Sequence, residues 1–283
     1  MLIRRYTIMI ICFLILFIGI KEIQGKEINE INSLSNFIEC SICEEYDWFP
    51  GHKCPPQWKK HIELSYINIS GTTITQTLSG KLDIRKENKR NRYFIKSNIR
   101  YGENYDNDSK TCEKIVNKWS LNGKYEKIFT GKLFGFLSIN YIDDEFSGYN
   151  YRALIGPGCG YDIVKTKRHY LKGLLSTLYS YDRFIKLEDN KKSDSYGSGK
   201  MAVDYIWHLS KNLTFKEMAD YLHSFEDNEK YFINSETVFE IKINTFMSFG
   251  LSYIVNYQND LPSSYKDIKH TEKTFLTSII IDL

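Results

Sequence analysis

The sequence predicts an all-β protein, a closed antiparallel up-and-down transmembrane β-barrel of about twelve strands. Three observations predict it. First, apolar residues recur with a period of two, not 3.6: Ala153, Ile155, Pro157, Cys159 and Tyr161 alternate with Arg152, Leu154, Gly156, Gly158, Gly160 and Asp162. Second, tyrosines stand at the ends of the apolar faces, Tyr161 at a turn and Tyr179 and Tyr181 at the far end of the next segment, where amphipathic rings meet a membrane-water boundary. Third, connections alternate between short turns and longer polar loops, as two rims of an up-and-down barrel require.

Met1 to Gly25 has Arg4 and Arg5, an apolar run from Ile8 to Ile20 and a polar exit, the layout of a secretory signal. That run is shorter than the ~20 apolar residues a helical span needs, which argues against an uncleaved anchor. Cys12 lies inside it, without the small residues that precede a lipidated cysteine. The expected location of the mature chain is the bacterial outer membrane.

Residues 26–57 form an extension carrying Cys40, Cys43, His52 and Cys54 before Pro55 and Pro56. Thiolates and an imidazole at this spacing could bind zinc. Export to an oxidising compartment favours a disulfide among Cys40, Cys43 and Cys54 with one thiol left over, so no metal ligand and no cofactor are assigned. The prolines place the start of the barrel after them, giving a barrel over 58–283.

Alternating segments begin near Trp58, Thr72, Asn91, Cys112, Lys132, Asn150, Arg168, Lys200, Leu213, Tyr231, Phe246 and Thr271. The short connections are Lys86 to Arg90, Ile128 to Gly131, Lys165 to Lys167, Ser210 to Asn212 and Thr245; the long ones are Glu103 to Thr111, Lys186 to Gly199 and Asn259 to His270. Ser70-Gly71 is a tight exception. With this topology Trp58, Tyr93, Tyr125, Tyr161, Tyr205 and Trp207 fall toward the short-turn rim, and Tyr101, Tyr141, Tyr179, Tyr181, Tyr231, Tyr253 and Tyr257 toward the long-loop rim. Trp119 sits nearer mid-strand and fits neither girdle.

Composition excludes other classes. The chain has 38 Lys and Arg against 35 Asp and Glu, and removing Arg4, Arg5, Lys21 and Glu22 leaves 35 against 34. A near-neutral chain has no nucleic-acid footprint. Negative mean hydropathy with 15% aromatic residues excludes a bundle of membrane helices. The expected partners are outer-membrane lipid, the barrel-insertion machinery and, if the interior conducts, small solutes.

The chain resembles the YdiY-like salt-induced outer-membrane proteins from about Trp58 to Leu283. The residues that carry the likeness are WKKHIELSYINISGTT, ALIGPGCGYDIVKTKRHYL, DYIWHLSKNLTF, SFGLSYIVNYQNDLP and HTEKTFLTSIIIDL, the glycine run and its following turn being the most specific. The resemblance implies an outer-membrane barrel with an association with salt response and no catalytic residues to carry over. This chain departs from the pattern by ending in Leu283 instead of an aromatic residue, while Phe275, Thr277, Ile279, Ile281 and Leu283 keep one-face alternation.

Chemistry is then sought on the lumen-facing set. Lys81, Lys96, Arg100, Lys114, Lys118 and Lys124, with Asp83, line the second to fourth strands; Asp204, Asp220, Glu236 and Glu240, with Lys216 and Lys242, line the eighth to tenth. Opposed basic and acidic walls would set a transverse field across a narrow wet lumen. The alternative is a salt-bridged, non-conducting filling. Catalysis is not expected: His208 and Ser210 share a face but lack the setting of a strained nucleophile turn or oxyanion site. The polar stretch Lys186 to Gly199 reads as a solvated loop, with surface binding as its alternative. Asn68, Asn107 and Asn212 open formal glycosylation triplets, common by chance in an Asn-rich chain.

Overall fold

The computed structural model describes residues 58–69, 73–88, 90–106, 111–188, 191–261 and 269–283. The expected signal peptide, the extension with Cys40, Cys43, His52 and Cys54, and the Ser70-Gly71 turn lie outside them. Twelve strands follow in order: β1 Trp58–Ile69, β2 Thr73–Glu87, β3 Asn91–Asp106, β4 Thr111–Ile128, β5 Leu133–Asp144, β6 Tyr149–Lys165, β7 His169–Glu188, β8 Lys191–His208, β9 Leu213–Ser224, β10 Tyr231–Lys242, β11 Met247–Gln258 and β12 Thr271–Asp282. Each pairs antiparallel with its sequence neighbours, and β1 pairs with β12 to close the barrel. Closure leaves no free edge over the paired length, the condition for backbone polar groups to survive in hydrocarbon.

The outer surface is apolar because the alternation presents one parity to lipid. Ile95 and Ile99 on β3, Leu137 and Ile139 on β5, Ile155 and Cys159 on β6, and Met201 and Val203 on β8 all point outward and are exposed. Rings frame this band. At the long-loop rim Trp119 packs on Tyr141 at 4.8 Å, Tyr141 on Tyr151 at 5.5 Å and Tyr151 on Tyr181 at 6.0 Å, and a second run joins Tyr221, Tyr231, Tyr257 and His270. Trp119 therefore belongs to a girdle after all; strand tilt raises it to the level of Tyr141. At the short-turn rim Tyr93 packs on Tyr125, and His169 lies beside Tyr205 and Trp207.

The five short turns share one construction. Asn88, Thr130, Thr166, Ser210 and Asn244 each donate their backbone N–H to the carbonyl of the third residue on, at 2.9–3.2 Å. In every case the side-chain oxygen also accepts the N–H of that third residue: Asn91, Leu133, His169, Leu213 or Met247. Asn, Ser and Thr fit because a short side chain can mimic a backbone acceptor locally.

One expected connection is absent. Lys186 to Gly199 is not a loop: β7 runs to Glu188, β8 starts at Lys191, and Thr177↔Gly199 through Arg183↔Ser193 are paired. Above the membrane the outward face meets water in place of oil, so its residues turn polar and the alternation that reveals a strand disappears, although Tyr196 and Ser198 stay buried on the inward face. The glycines there are covered, with the Phe225 ring 3.3 Å from the position a Cβ would take on Gly197 and 3.0 Å from that on Gly199.

The glycine run of β6 shapes the interior. A Cβ on Gly158 would lie 2.3 Å from Phe136 Cζ, and one on Gly160 2.2 Å from Phe134 Cζ, so the two rings of β5 lie flat over bare backbone. On Gly156 a Cβ would meet the Thr177 carbonyl oxygen at 2.1 Å, a close approach of β7 that only glycine permits. Beside it Pro157, which lacks a donor, coincides with a break in the β6–β7 ladder between Ile155↔Tyr179 and Gly158↔Ser176.

Candidate functional site in the barrel interior

The register fixes which charges share the interior. Glu63 on β1 lies across from Lys81 on β2, Asp83 from Lys96 on β3, Arg100 from Lys118 on β4, and Lys172 on β7 from Asp204 on β8. The charged interior then separates into a dry set and a wet set.

The first dry cluster sits near the short-turn rim beneath β3 to β8. Arg92 on β3 donates to Glu126 of β4 at 3.2 Å and to Asp162 of β6 at 3.1 Å. Lys124 Nζ lies 2.9 Å from Glu126 Oε1, and Tyr170 donates to Asp162 at 2.8 Å. Phe94, Phe134 and Phe136 wall the cluster, with Lys124 Nζ 4.9 Å from the Phe94 centroid and the Arg92 guanidinium 5.3 Å from that of Phe134.

A second dry cluster sits toward the long-loop rim. Arg152 Nε donates to Asp182 at 2.8 Å, Tyr196 donates to the other oxygen at 3.0 Å, and Lys230 Nζ lies 3.2 Å from Asp182 and 2.9 Å from Asp194. The Arg152 guanidinium is held between Tyr149, at 4.2 Å, and Phe232, at 3.9 Å. Gln258 on β11 reaches the Tyr149 hydroxyl on β6, nearly the opposite wall, at 3.3 Å. Sequence reasoning did not single out these charges. Arg152, Asp162, Lys172 and Asp182 carry the interior parity in the sequence, and that parity was the available signal.

The residues expected to line the lumen are ion-paired and more exposed than most of the dry set. Lys81 bridges Glu63 on the neighbouring strand and Glu236 of β10 across the interior. Lys96 pairs with Asp83 at 3.4 Å, Asp220 with Lys200 at 3.2 Å and Asp204 with Lys172 at 3.0 Å, while Lys216 pairs with Glu240. Arg100 donates to Glu272 of β12 at 3.2 Å, and Lys118 lies 2.9 Å from Asp144 and 3.8 Å from Glu272. Lys114 pairs with Glu145 at 2.7 Å. Lys242 is exposed, and its ammonium forms no ion pair with a described residue. The basic and acidic arcs thus meet directly at Lys81–Glu236, and most other members pair with residues close on the wall.

The two sets differ in access to water. Side chains of Lys81, Asp83, Lys96, Lys118, Lys200, Asp204, Lys216, Asp220, Glu236 and Glu240 are 14–43% exposed. Those of Arg92, Glu126, Asp162, Asp182 and Lys230 are 0–5% exposed, with Arg152 at 11% and Lys124 at 18% on the margins of their clusters. Removing one partner of a dry ion pair strands a buried charge, whereas a wet pair exchanges partners with water and ions at little cost.

Among the described residues, no group of three or more His, Cys, Asp or Glu is placed to hold a metal ion. Ser210, the serine weighed as a nucleophile, caps its turn by accepting from Asn212 and Leu213, and His208 Nδ1 lies 3.1 Å from Thr214 Oγ1.

The chain is similar to several solved barrels at very low identity. The NanC porin matches with a TM-score of 0.44 at 10% identity, covering 79% of this chain and 97% of the other. The translocator domain of the autotransporter NalP from Neisseria meningitidis matches with a TM-score of 0.45 at 8% identity, covering 89% and 95%. An outer membrane channel from Pseudomonas putida F1 matches with a TM-score of 0.44 at 8% identity, covering 83% and 99%. No curated protein matches the sequence. The model of a family described as "Protein of unknown function, DUF481" matches residues 62–282, nearly the whole barrel, and the chain belongs to that family.

Proposed function

We propose that the protein is exported through a cleaved signal peptide to the outer membrane and there provides a narrow, charge-lined water path for small ions and polar solutes. The observation that carries this reading is the division of interior charge. The wet residues run from the β2–β3 wall past Lys81–Glu236 to the β8–β10 wall, balanced between cations and anions. Such a lining favours passage of small charged species with weak selectivity between signs. Lys81–Glu236 spans the path and is its constriction. Added salt screens accessible pairs far more than dry ones, which supports a link between ionic strength and conductance.

The test is planar-bilayer recording with ion selectivity on the purified, folded chain, compared with Lys81→Met/Glu236→Met. The reading expects small, salt-dependent conductance that rises at least twofold when the spanning pair is removed. The second reading is a non-conducting barrel, favoured by the Gln258–Tyr149 hydrogen bond across the long-loop mouth. Silence in both proteins would overturn the water path and leave that alternative.

A further inference from the structure

The closing seam is incomplete. Backbone pairing between β1 and β12 runs from Lys60 and Leu283, joined by two 2.8 Å hydrogen bonds, up to Ser65↔Ser278, and stops there. On their other sides both strands stay paired to the top, β1 to Ile69↔Thr75 and β12 to Tyr257↔Thr271. Tyr66 to Ile69 and Thr274 to Thr277 therefore face each other without a ladder, in the part of the wall toward the long-loop rim. Open sheet edges are not tolerated against hydrocarbon unless something satisfies or covers them.

What holds β12 there comes from inside. Arg100 on β3 donates to Glu272 at 3.2 Å and to Thr274 at 3.1 Å, past β2 and β1. Lys118 on β4 stands 3.8 Å from the same carboxylate, and Asn256 donates to it at 3.1 Å. The upper half of β12 is thus latched to β3 and β4, not zipped to β1. The flanks of the unpaired stretch are apolar: Tyr66 and Phe275 are exposed outside, and Leu276 is buried inside.

We propose that this stretch is a lateral portal from the outer leaflet to the Arg100–Lys118 pair, and that its ligand is a long-chain carboxylic acid. Moving β12 outward to admit an acyl chain withdraws Glu272. Lys118 would keep Asp144 at 2.9 Å, but Arg100, whose side chain is 12% exposed, would be left without a carboxylate. A carboxylate arriving at the head of the chain replaces the one withdrawn, so the latch yields to an anionic amphiphile and resists a neutral one of the same length. The apolar flanks hold the tail. This inference does not require that ions pass through the barrel.

The experiment uses the full chain, with its 6 cysteines changed to serine, in phosphatidylcholine vesicles. The probes are diazirine-bearing palmitic acid and its methyl ester, with cross-linked peptides located by mass spectrometry. Acid labelling should concentrate on Tyr66, Ile67 and Thr274 to Thr277, at least fivefold over the ester. A Tyr66→Cys/Thr277→Cys disulfide should abolish that excess, and reduction of the same preparation should restore it, which separates blocking from misfolding. Arg100→Met should remove the preference for the acid, whereas Glu272→Gln should raise labelling by both probes. Equal labelling by acid and ester, labelling spread around all outward faces, or labelling unchanged by the disulfide would overturn the proposal.

Discussion

Replacing Arg92 with methionine separates the dry network from the wet one. In the folded barrel Arg92 is the shared partner of Glu126 and Asp162, both almost wholly removed from water. Once it is gone, Glu126 keeps Lys124 at 2.9 Å, but Asp162 keeps only the neutral Tyr170 hydroxyl at 2.8 Å. Stranding a buried charge by removing its partner costs about 3–5 kcal/mol. With a urea dependence of about 2 kcal/mol per molar, the unfolding midpoint should fall by about 2 M. The assay is equilibrium urea unfolding from phospholipid vesicles, followed by fluorescence of the 4 tryptophans and by heat-modifiable migration. Adding Asp162→Asn removes the stranded charge and should restore at least half of the loss. A midpoint shift below about 0.5 M, or no recovery in the double variant, would refute the view that these charges are dry and mutually dependent.

Lys96→Met is the matched control: its side chain is 43% exposed and 3.4 Å from Asp83, so the change should cost below about 1 kcal/mol in the same titration. Gly160→Val would place a Cβ 2.2 Å from Phe134 Cζ and should destabilise by about 1–3 kcal/mol, while Gly173→Ala, whose Cβ meets only Ile163 Cδ1 at 3.4 Å, should be near neutral by thermal migration shift. Asn244→Ala removes the acceptor for the Phe246 and Met247 N–H groups at 3.0 and 2.8 Å and should cost about 0.5–1.5 kcal/mol, read by urea unfolding.

The strands were legible wherever the two faces meet different solvents. Met247 to Tyr257 on β11 alternates oil and water at every step, and its register with β12 follows from that parity. The signal failed at Lys191 to Gly199, where the outward positions are Lys, Ser and Gly in place of apolar residues while Tyr196 and Ser198 are buried inward. Turn chemistry was legible too, since Asn88, Thr130, Thr166, Ser210 and Asn244 stand at the same place in each short turn. Interior partners were not. Parity says that Arg152 and Asp182 point inward, but which charges meet depends on tilt and stagger, which bring β3 to β6, β2 to β10 and β3 to β12. Arg92 and Glu126, at the turn ends of their strands, lay where the alternation is already giving way.

Strand length connects these features. A membrane crossing needs about 9–11 tilted residues. β7 has 20, β4 and β8 18, β6 17 and β3 16, whereas β1 and β9 to β12 have 12 each, as does β5 between its taller neighbours. The taller strands β3, β4 and β6 to β8 carry most of both dry clusters, so their long ladders are cross-braced by ion pairs that salt does not reach. In the short arc Lys216–Glu240 is accessible to water, Lys81–Glu236 ties β10 to β2 across the interior, and the β1–β12 ladder stops at Ser65↔Ser278. Local opening follows the lowest density of protected backbone bonds and buried contacts. Any widening of the water path or parting of the wall therefore falls on the short arc, with the taller strands as the fixed frame. Backbone amide exchange in vesicles should accordingly be fastest at Tyr66, Phe275 and Thr277, whose N–H groups point into the unzipped seam, and slowest at Ser180 and Ser198, and the opposite order would contradict this division.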